Sequence, residues 1–221
     1  MNKRSKIYTG LSSVALVGSL AVAGVAGTGA ASASNASSGG GGAHLHAQLN
    51  PLNNSGAFGN SDVRFRGTKA HVDIDAYRLL RGMPHAQHIH FGKEARHECP
   101  TAFDDKNNDF RLTTTDGAPA YGPIRKSLTT KGDFSPASAL AVKRFPTANK
   151  GQEHYDRTIN FSGDALRRAI KNGKGVVVIH GLDYNGNGKY DFRAAGKSEL
   201  DPSLPAEATD PAVCGVLKAR R

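Results

Sequence analysis

The 221-residue sequence has no tryptophan, two methionines, two cysteines and only 7% aromatic residues. With 26 glycines and scattered prolines, so few aromatics favour a loop-rich β architecture over a helical bundle. The chain lacks a C-x-x-C pair, a G-x-S-x-G elbow, a phosphate-binding P-loop and the Rossmann glycine pattern. Those gaps remove the familiar sequence routes to thiol redox, serine-hydrolase, nucleotide and dinucleotide chemistry. Acids are the scarcer charge, 19 against 29 bases, for a formal +10. The bases are spread without interleaved aromatics, so a nucleic-acid partner is not expected.

Long apolar runs are also missing, with one exception. Lys3, Arg4 and Lys6 precede an apolar stretch over residues 11–25, and Ala31-Ser32-Ala33 follows. Basic flank, short apolar run and A-x-A make a secretory signal over residues 1–33, cut after Ala33. No cysteine closely follows the run, which argues against a lipid-anchored form. The expected protein is secreted, with no membrane contact once the signal is removed. Cleavage takes three bases and no acids, so +10 becomes +7. Outside the cell, Cys99 and Cys214 are an even pair, and a disulfide between them is the default.

Residues 34–43 (SNASSGGGGA) bury nothing and read as a flexible tether. Residues 44–221 then form one domain. Apolar residues alternate over 44–49, the run ends at Asn50-Pro51, and 61–67 with 68–80 read as a hairpin. Further strands are expected over 85–91, 123–130, 139–145, 152–161, 175–180 and 212–217. Residues 92–120 read as an irregular polar insertion. One helix is expected, over 164–171, with Ser162 as its cap and Asn172-Gly173 as its stop. Seven or eight short strands between turn signals give an all-β, Greek-key-like sandwich or flattened barrel.

The nine histidines are not scattered. His85, His88 and His90 fall within six positions, and His180 ends the apolar run Val176-Val177-Val178-Ile179. On a strand, H-x-H puts both imidazoles on one face. If the two strands are neighbours, His180 becomes the third ligand of a His88, His90, His180 site. Three neutral imidazoles suit copper or zinc, and copper stands highest in the divalent affinity order. His71 and His97 are further candidate ligands, and His85 is expected to buttress the site. His44-Leu45-His46 reads as solvent-facing strand residues.

An oxygen-rich loop follows the third histidine. Asp183, Asn185, Asn187 and Asp191, with Gly188 at its sixth position, match the first part of a calcium loop. Asn-Gly-Asn-Gly is equally hairpin chemistry. Asp183 could also orient His180. A weaker loop of the same kind runs from Asp105 to Asp116.

H-x-x-H-x-H-F-G at 85–92, Cys99, V-V-V-I-H at 176–180 and C-G-V-L at 214–217 together resemble the copper/zinc superoxide dismutase family. A-Q-L-N-P-L-N-N-S-G at 47–56 and A-Q-H-I-H at 86–90 resemble bacterial chordin-type (CHRD) domains, which are secreted β-sandwich modules. The resemblance spans about residues 44–217. It implies His88, His90 and His180 as copper ligands, Cys99–Cys214 as the disulfide, and superoxide as a possible reactant. Two features depart from the dismutases. No histidine lies between Cys99 and His154, so their zinc subsite is absent, and Pro211 stands where they carry an anion-guiding arginine. The sequence therefore leaves a second reading, a non-catalytic extracellular interaction module without a redox metal. No particular protein partner is legible.

Overall fold

In the computed structural model, residues 42–220 are described. The expected signal segment and nearly all of the expected tether lie outside them. No helix among the described residues is long and apolar enough to cross a membrane.

Among the described residues, nine strands form one antiparallel sheet: β1 (His44–Pro51), β2 (Phe58–Arg66), β3 (Lys69–Tyr77), β4 (Gln87–His90), β5 (Ile124–Ser127), β6 (Gln152–Asn160), β7 (Val176–His180), β8 (Pro211–Val216) and β9 (Lys218–Ala219). The order is β5-β4-β7-β8-β1-β2-β3-β6, with β9 also on β1. This is the all-β flattened barrel that the alternating patterns imply. Its concave side holds the core, including Leu45, Leu49, Val63, Phe65, Val72, Ile74, Ile89, Val177, Ile179 and Val213. The ends of the order, β5 and β6, are not hydrogen-bonded to each other. Arg157 on β6 spans that seam, donating to the carbonyls of Thr129 (2.7 Å) and Gly132 (2.6 Å).

The alternation of β1, β2 and β3 leaves their convex side to water, whereas every residue of β4 and β7 is buried. The excursion after β4 supplies cover on the convex side. A second core cluster there joins Val176, Val178 and Cys214 to Tyr121, with Cys99 packed on it. The Cys99–Cys214 disulfide ties the excursion to β8. Residues opposite one another in an antiparallel pair share a face. His88 opposite Val178 and His90 opposite Val176 therefore lie on the covered convex side.

Three expectations change. The excursion is not wholly irregular, because it contains α1 (Thr114–Tyr121), capped reciprocally by Thr113 and Asp116. Pro119 and Gly117 masked it in the sequence, although T-x-x-D is a helix-start signal. Gly117 is required, since a Cβ there would meet the Tyr121 ring at 2.4 Å. The strand expected over 139–145 is instead a pair of 3-10 turns, Pro136–Ser138 and Val142–Arg144. Asp133 accepts from the Ser135 and Ser138 hydroxyls, and Arg144 donates to Ser138 Oγ and the Asp133 carbonyl. Such local side-chain bonds compete with a ladder. The expected helix is α2 (Asp164–Ala169), extended by a wide turn Ile170–Lys174, but its cap is Gly163 and not Ser162. A short α3 (Ala206–Thr209) precedes β8.

One core position works against stability. Glu153, opposite Ala76 on the inward side of β6, has no partner for either carboxylate oxygen. Burial pushes its carboxyl up to about 8 from an ordinary 4.5. The unfolded chain releases this proton at lower pH than the folded one, so stability falls as pH rises from 4.5 to about 8. Glu153→Gln is expected to flatten that slope and to add on the order of a few kcal/mol at pH 8. Urea unfolding at pH 5 and pH 8 measures it, and identical slopes in both proteins would refute it.

Candidate metal centre

β4 places His88 and His90 two residues apart on the convex side, and β7 runs antiparallel beside it in register. His180 ends β7, so its ring joins the same face. The three side chains are 2%, 1% and 3% exposed. One nitrogen from each ring lies within 4.8 Å of the other two.

The remaining nitrogens are held by backbone carbonyls. His88 Nε2 donates to Ala139 O (3.1 Å), His90 Nδ1 to Gly122 O (2.8 Å) and His180 Nδ1 to Thr209 O (2.6 Å). A carbonyl only accepts, so each of these nitrogens carries the proton, and the tautomer is thereby fixed. The lone pairs then sit on His88 Nδ1, His90 Nε2 and His180 Nε2. These three atoms are buried and have no hydrogen-bond partner. Burying a polar atom unpaired costs about 1–3 kcal/mol. With one nitrogen of each ring within 4.8 Å of the other two, these unpartnered atoms offer a donor set for a cation. The carbonyl contacts play the orienting part that usually surrounds a metal-bound imidazole.

Electrostatics agree with lone-pair donors. Burial holds His90 down to about 3 and His180 to about 4, and lowers His88 well below the usual value. Proximity of the other two rings lowers His88 further. All three imidazoles are therefore neutral at pH 7. In the unfolded chain they take up protons near 6.5, while the folded, metal-free protein refuses them. Its stability is consequently lost as pH falls from about 6.5 toward 4. Three such groups give a slope approaching about 4 kcal/mol per pH unit. Chelator-treated protein unfolded with urea at pH 7, 5.5 and 4.5 tests this, and a constant midpoint would contradict it.

The covering residues come from the excursions. The Phe145 ring stands edge-on to His88 at 5.4 Å, and the Tyr121 ring lies 4.5 Å from His90. Beneath the site, His85 Nδ1 donates to the His180 carbonyl at 2.9 Å, so it braces the backbone of a ligand. The Tyr190 hydroxyl reaches the same His85 ring across Gly181. At φ +103, a Cβ on Gly181 would meet that hydroxyl at 2.1 Å, so only glycine fits.

Other sequence candidates are elsewhere. His97 donates Nε2 to Gly92 O and stacks on Phe91; it is not among the grouped ligands. His71 is on β3, within 4.8 Å of Asp73 and Asp156 on the solvent side of the sheet. Neither joins the three-histidine group. His44 and His46 both contact Asp62. Asp183 does not orient His180, because Thr209 does. Asp183 instead accepts the N–H groups of Gly186, Asn187 and Gly188. Asn185 and Asn187 accept the N–H groups of Asn187 and Lys189, and Asp191 accepts that of Arg193 and the Asn187 amide. These are the backbone contacts of Asx turns. Ala139, Gly122 and Thr209 had no sequence signal, since they act through carbonyls that every residue possesses. For Tyr121, the T-x-x-D start of α1 was the available signal.

No family model matches the chain, and no curated protein matches it. The geometry therefore carries the functional reading. The domain presents a possible three-histidine metal site with a disulfide holding part of its cover.

Proposed function

We propose that this is an exported copper-holding β-domain, resembling the copper/zinc dismutases in its histidine set and CHRD modules in its N-terminal half. His88 Nδ1, His90 Nε2 and His180 Nε2 are the ligands. The observation that carries the reading is the convergence of three buried, unpartnered lone pairs with their tautomers fixed by carbonyls. Copper is favoured because an all-imidazole set without carboxylate suits it, and it binds most tightly in the divalent series. Bound copper would supply a one-electron redox centre. The chain's own residues orient the imidazoles, exclude water and keep the nitrogens unprotonated.

Holding copper takes precedence over turning over superoxide in this reading. Steering an anion to a metal needs an open approach and a positive group near it. Here each ligand nitrogen is shielded, and Pro211 occupies the position of the dismutase arginine. Export fits the disulfide between Cys99 and Cys214.

Copper-loaded mature protein is expected to give a type-2 Cu(II) EPR signal with nitrogen hyperfine structure, at one copper per chain. His88→Ala with His180→Ala should abolish it. A signal unchanged in that variant would end the proposal. A superoxide-consumption assay on the same sample separates holding from turnover: copper-dependent activity that is lost in His90→Ala would make the centre catalytic.

A further inference from the structure

The solvent side of the sheet carries a second group of metal-ligating side chains, separated from the three histidines by β8, β1 and β2 in the strand order. In-register pairing sets its rows, because residues opposite one another share a face. His46, Asp62, Asp73 and Asp156 run in one line across β1, β2, β3 and β6. On one side of that line stand His44, Arg64, His71 and Thr158, and on the other Gln48, Asn60, Asp75 and His154.

Carboxylates directly opposite one another destabilise a ladder, and of the three in this row only two are answered. Asp62 is held by His44, His46 and Arg220, and Asp156 by His71. Asp75, the next outward residue of β3, accepts from His154 Nδ1 at 2.9 Å. Asp73 sits between Asp62 and Asp156, and among the described residues its carboxylate has no ion pair and no hydrogen bond. Arg64, opposite His71, makes no ion pair with it. The chain has ten more bases than acids, yet none of them answers this position.

The neighbouring atoms have the chemistry and the spacing for a divalent ion. His71, Asp73 and Asp156 each bring one ligand atom within 4.8 Å of the other two. Ligands held tetrahedrally at about 2.0–2.2 Å from one zinc ion lie about 3.3–3.6 Å apart. His71 Nε2 is already 3.3 Å from Asp156 Oδ2, and rotation of the unpinned Asp73 carboxylate closes the remaining sides. The other His71 nitrogen, Nδ1, lies 3.4 Å from the Thr158 hydroxyl, an orienting contact of the kind that metal-bound imidazoles make. All three side chains stand on strands paired in register, so the backbone beneath them is fixed.

We propose that His71, Asp73 and Asp156 form a second, solvent-open metal site, and that its ion is zinc. An imidazole nitrogen among the ligands favours zinc over calcium and magnesium, which take oxygen shells. Three protein ligands leave the fourth position to water. The ion supplies the charge that the facing carboxylates of Asp73 and Asp156 lack. This site shares no residue with the three-histidine centre and does not rest on the copper reading.

The test titrates copper-loaded mature protein with zinc against a fluorescent zinc indicator. The parent is expected to take up one zinc per chain at this site. His71→Ala and Asp73→Asn should each weaken that uptake at least tenfold. Asp75→Asn removes the same charge two residues along the same face of β3, and should change it less than threefold. Without metal, Asp73→Asn should melt no lower than the parent, because a repulsion is gone, and the rise in melting temperature that zinc gives the parent should disappear. Equal weakening in Asp73→Asn and Asp75→Asn, or none in Asp73→Asn, would overturn the site. Displacement of the zinc by an equal concentration of magnesium would overturn zinc as its ion. If the buried centre takes no copper, any zinc it binds instead is common to the parent and Asp73→Asn, so the difference between them still reads the surface site.

Discussion

Replacing both cysteines, Cys99→Ser with Cys214→Ser, is expected to cost the fold about 4–5 kcal/mol, the chain-entropy figure for a crosslink closing a loop of this size. The bond spans 115 residues, so its removal frees a large volume for the unfolded chain. The native state loses as well. Cys214 is fully buried in the convex cluster with Val176, Val178 and Tyr121, against which Cys99 packs. Two hydroxyls placed there would have to find partners or remain unsatisfied. The damage should extend to the metal centre, because the tethered excursion supplies the Tyr121 ring and the Gly122 carbonyl that orients His90. The urea midpoint of the variant against the oxidised parent measures the first effect. Copper affinity at a temperature where both remain folded measures the second. A variant with the parent's midpoint would show that the excursion is held by packing alone.

The second large effect is metal-linked. A ligand that binds only the folded state stabilises it by about 4 kcal/mol at a thousandfold excess over its dissociation constant. Wild-type protein should gain that much from copper, and His180→Leu should gain none. The metal-free variant is a sharper test of the site. Leucine removes the unpartnered His180 Nε2 from a buried position. The Thr209 carbonyl that held the other nitrogen still accepts from Thr114 Oγ1 at 2.8 Å. No new unsatisfied group is therefore created. At pH 7 the metal-free His180→Leu protein is expected to be at least as stable as the metal-free parent, by up to about 1–3 kcal/mol. Thermal melts of both proteins, with chelator and with copper, give all four values. Equal copper stabilisation of the two would remove His180 from the ligand set. A large loss of stability in the metal-free variant would mean that its ring is structural.

β1, β2, β3 and β6 were readable because one face of each is wet. His44 to Leu49 and Lys69 to Tyr77 alternate, and the structure alternates their burial in the same phase. Where local side-chain bonding competed with the ladder, reading failed. Ser135, Ser138, Asp133 and Arg144 tie residues 133–145 into turns, although the apolar residues of 139–145 suggest a strand. Pro119 and Gly117 hid α1 for a different reason. The glycine is there to admit the Tyr121 ring, a contact within the helix that composition does not reveal.

By itself the sequence determined which residue types could bind a metal and which strand faces they share, because H-x-H on an extended chain leaves little choice of side. It also determined that two distant cysteines were available to pair. Only the tertiary structure decided that β4 and β7 are neighbours in register, which brings His180 to His88 and His90. It decided too that His71 and His97 stay outside the group, since strand order is set by long-range pairing that no local pattern encodes. The ring nitrogens left for a metal were chosen by the carbonyls of Ala139, Gly122 and Thr209. A backbone carbonyl has no signature in sequence, and it can orient an imidazole only after the chain has folded around it.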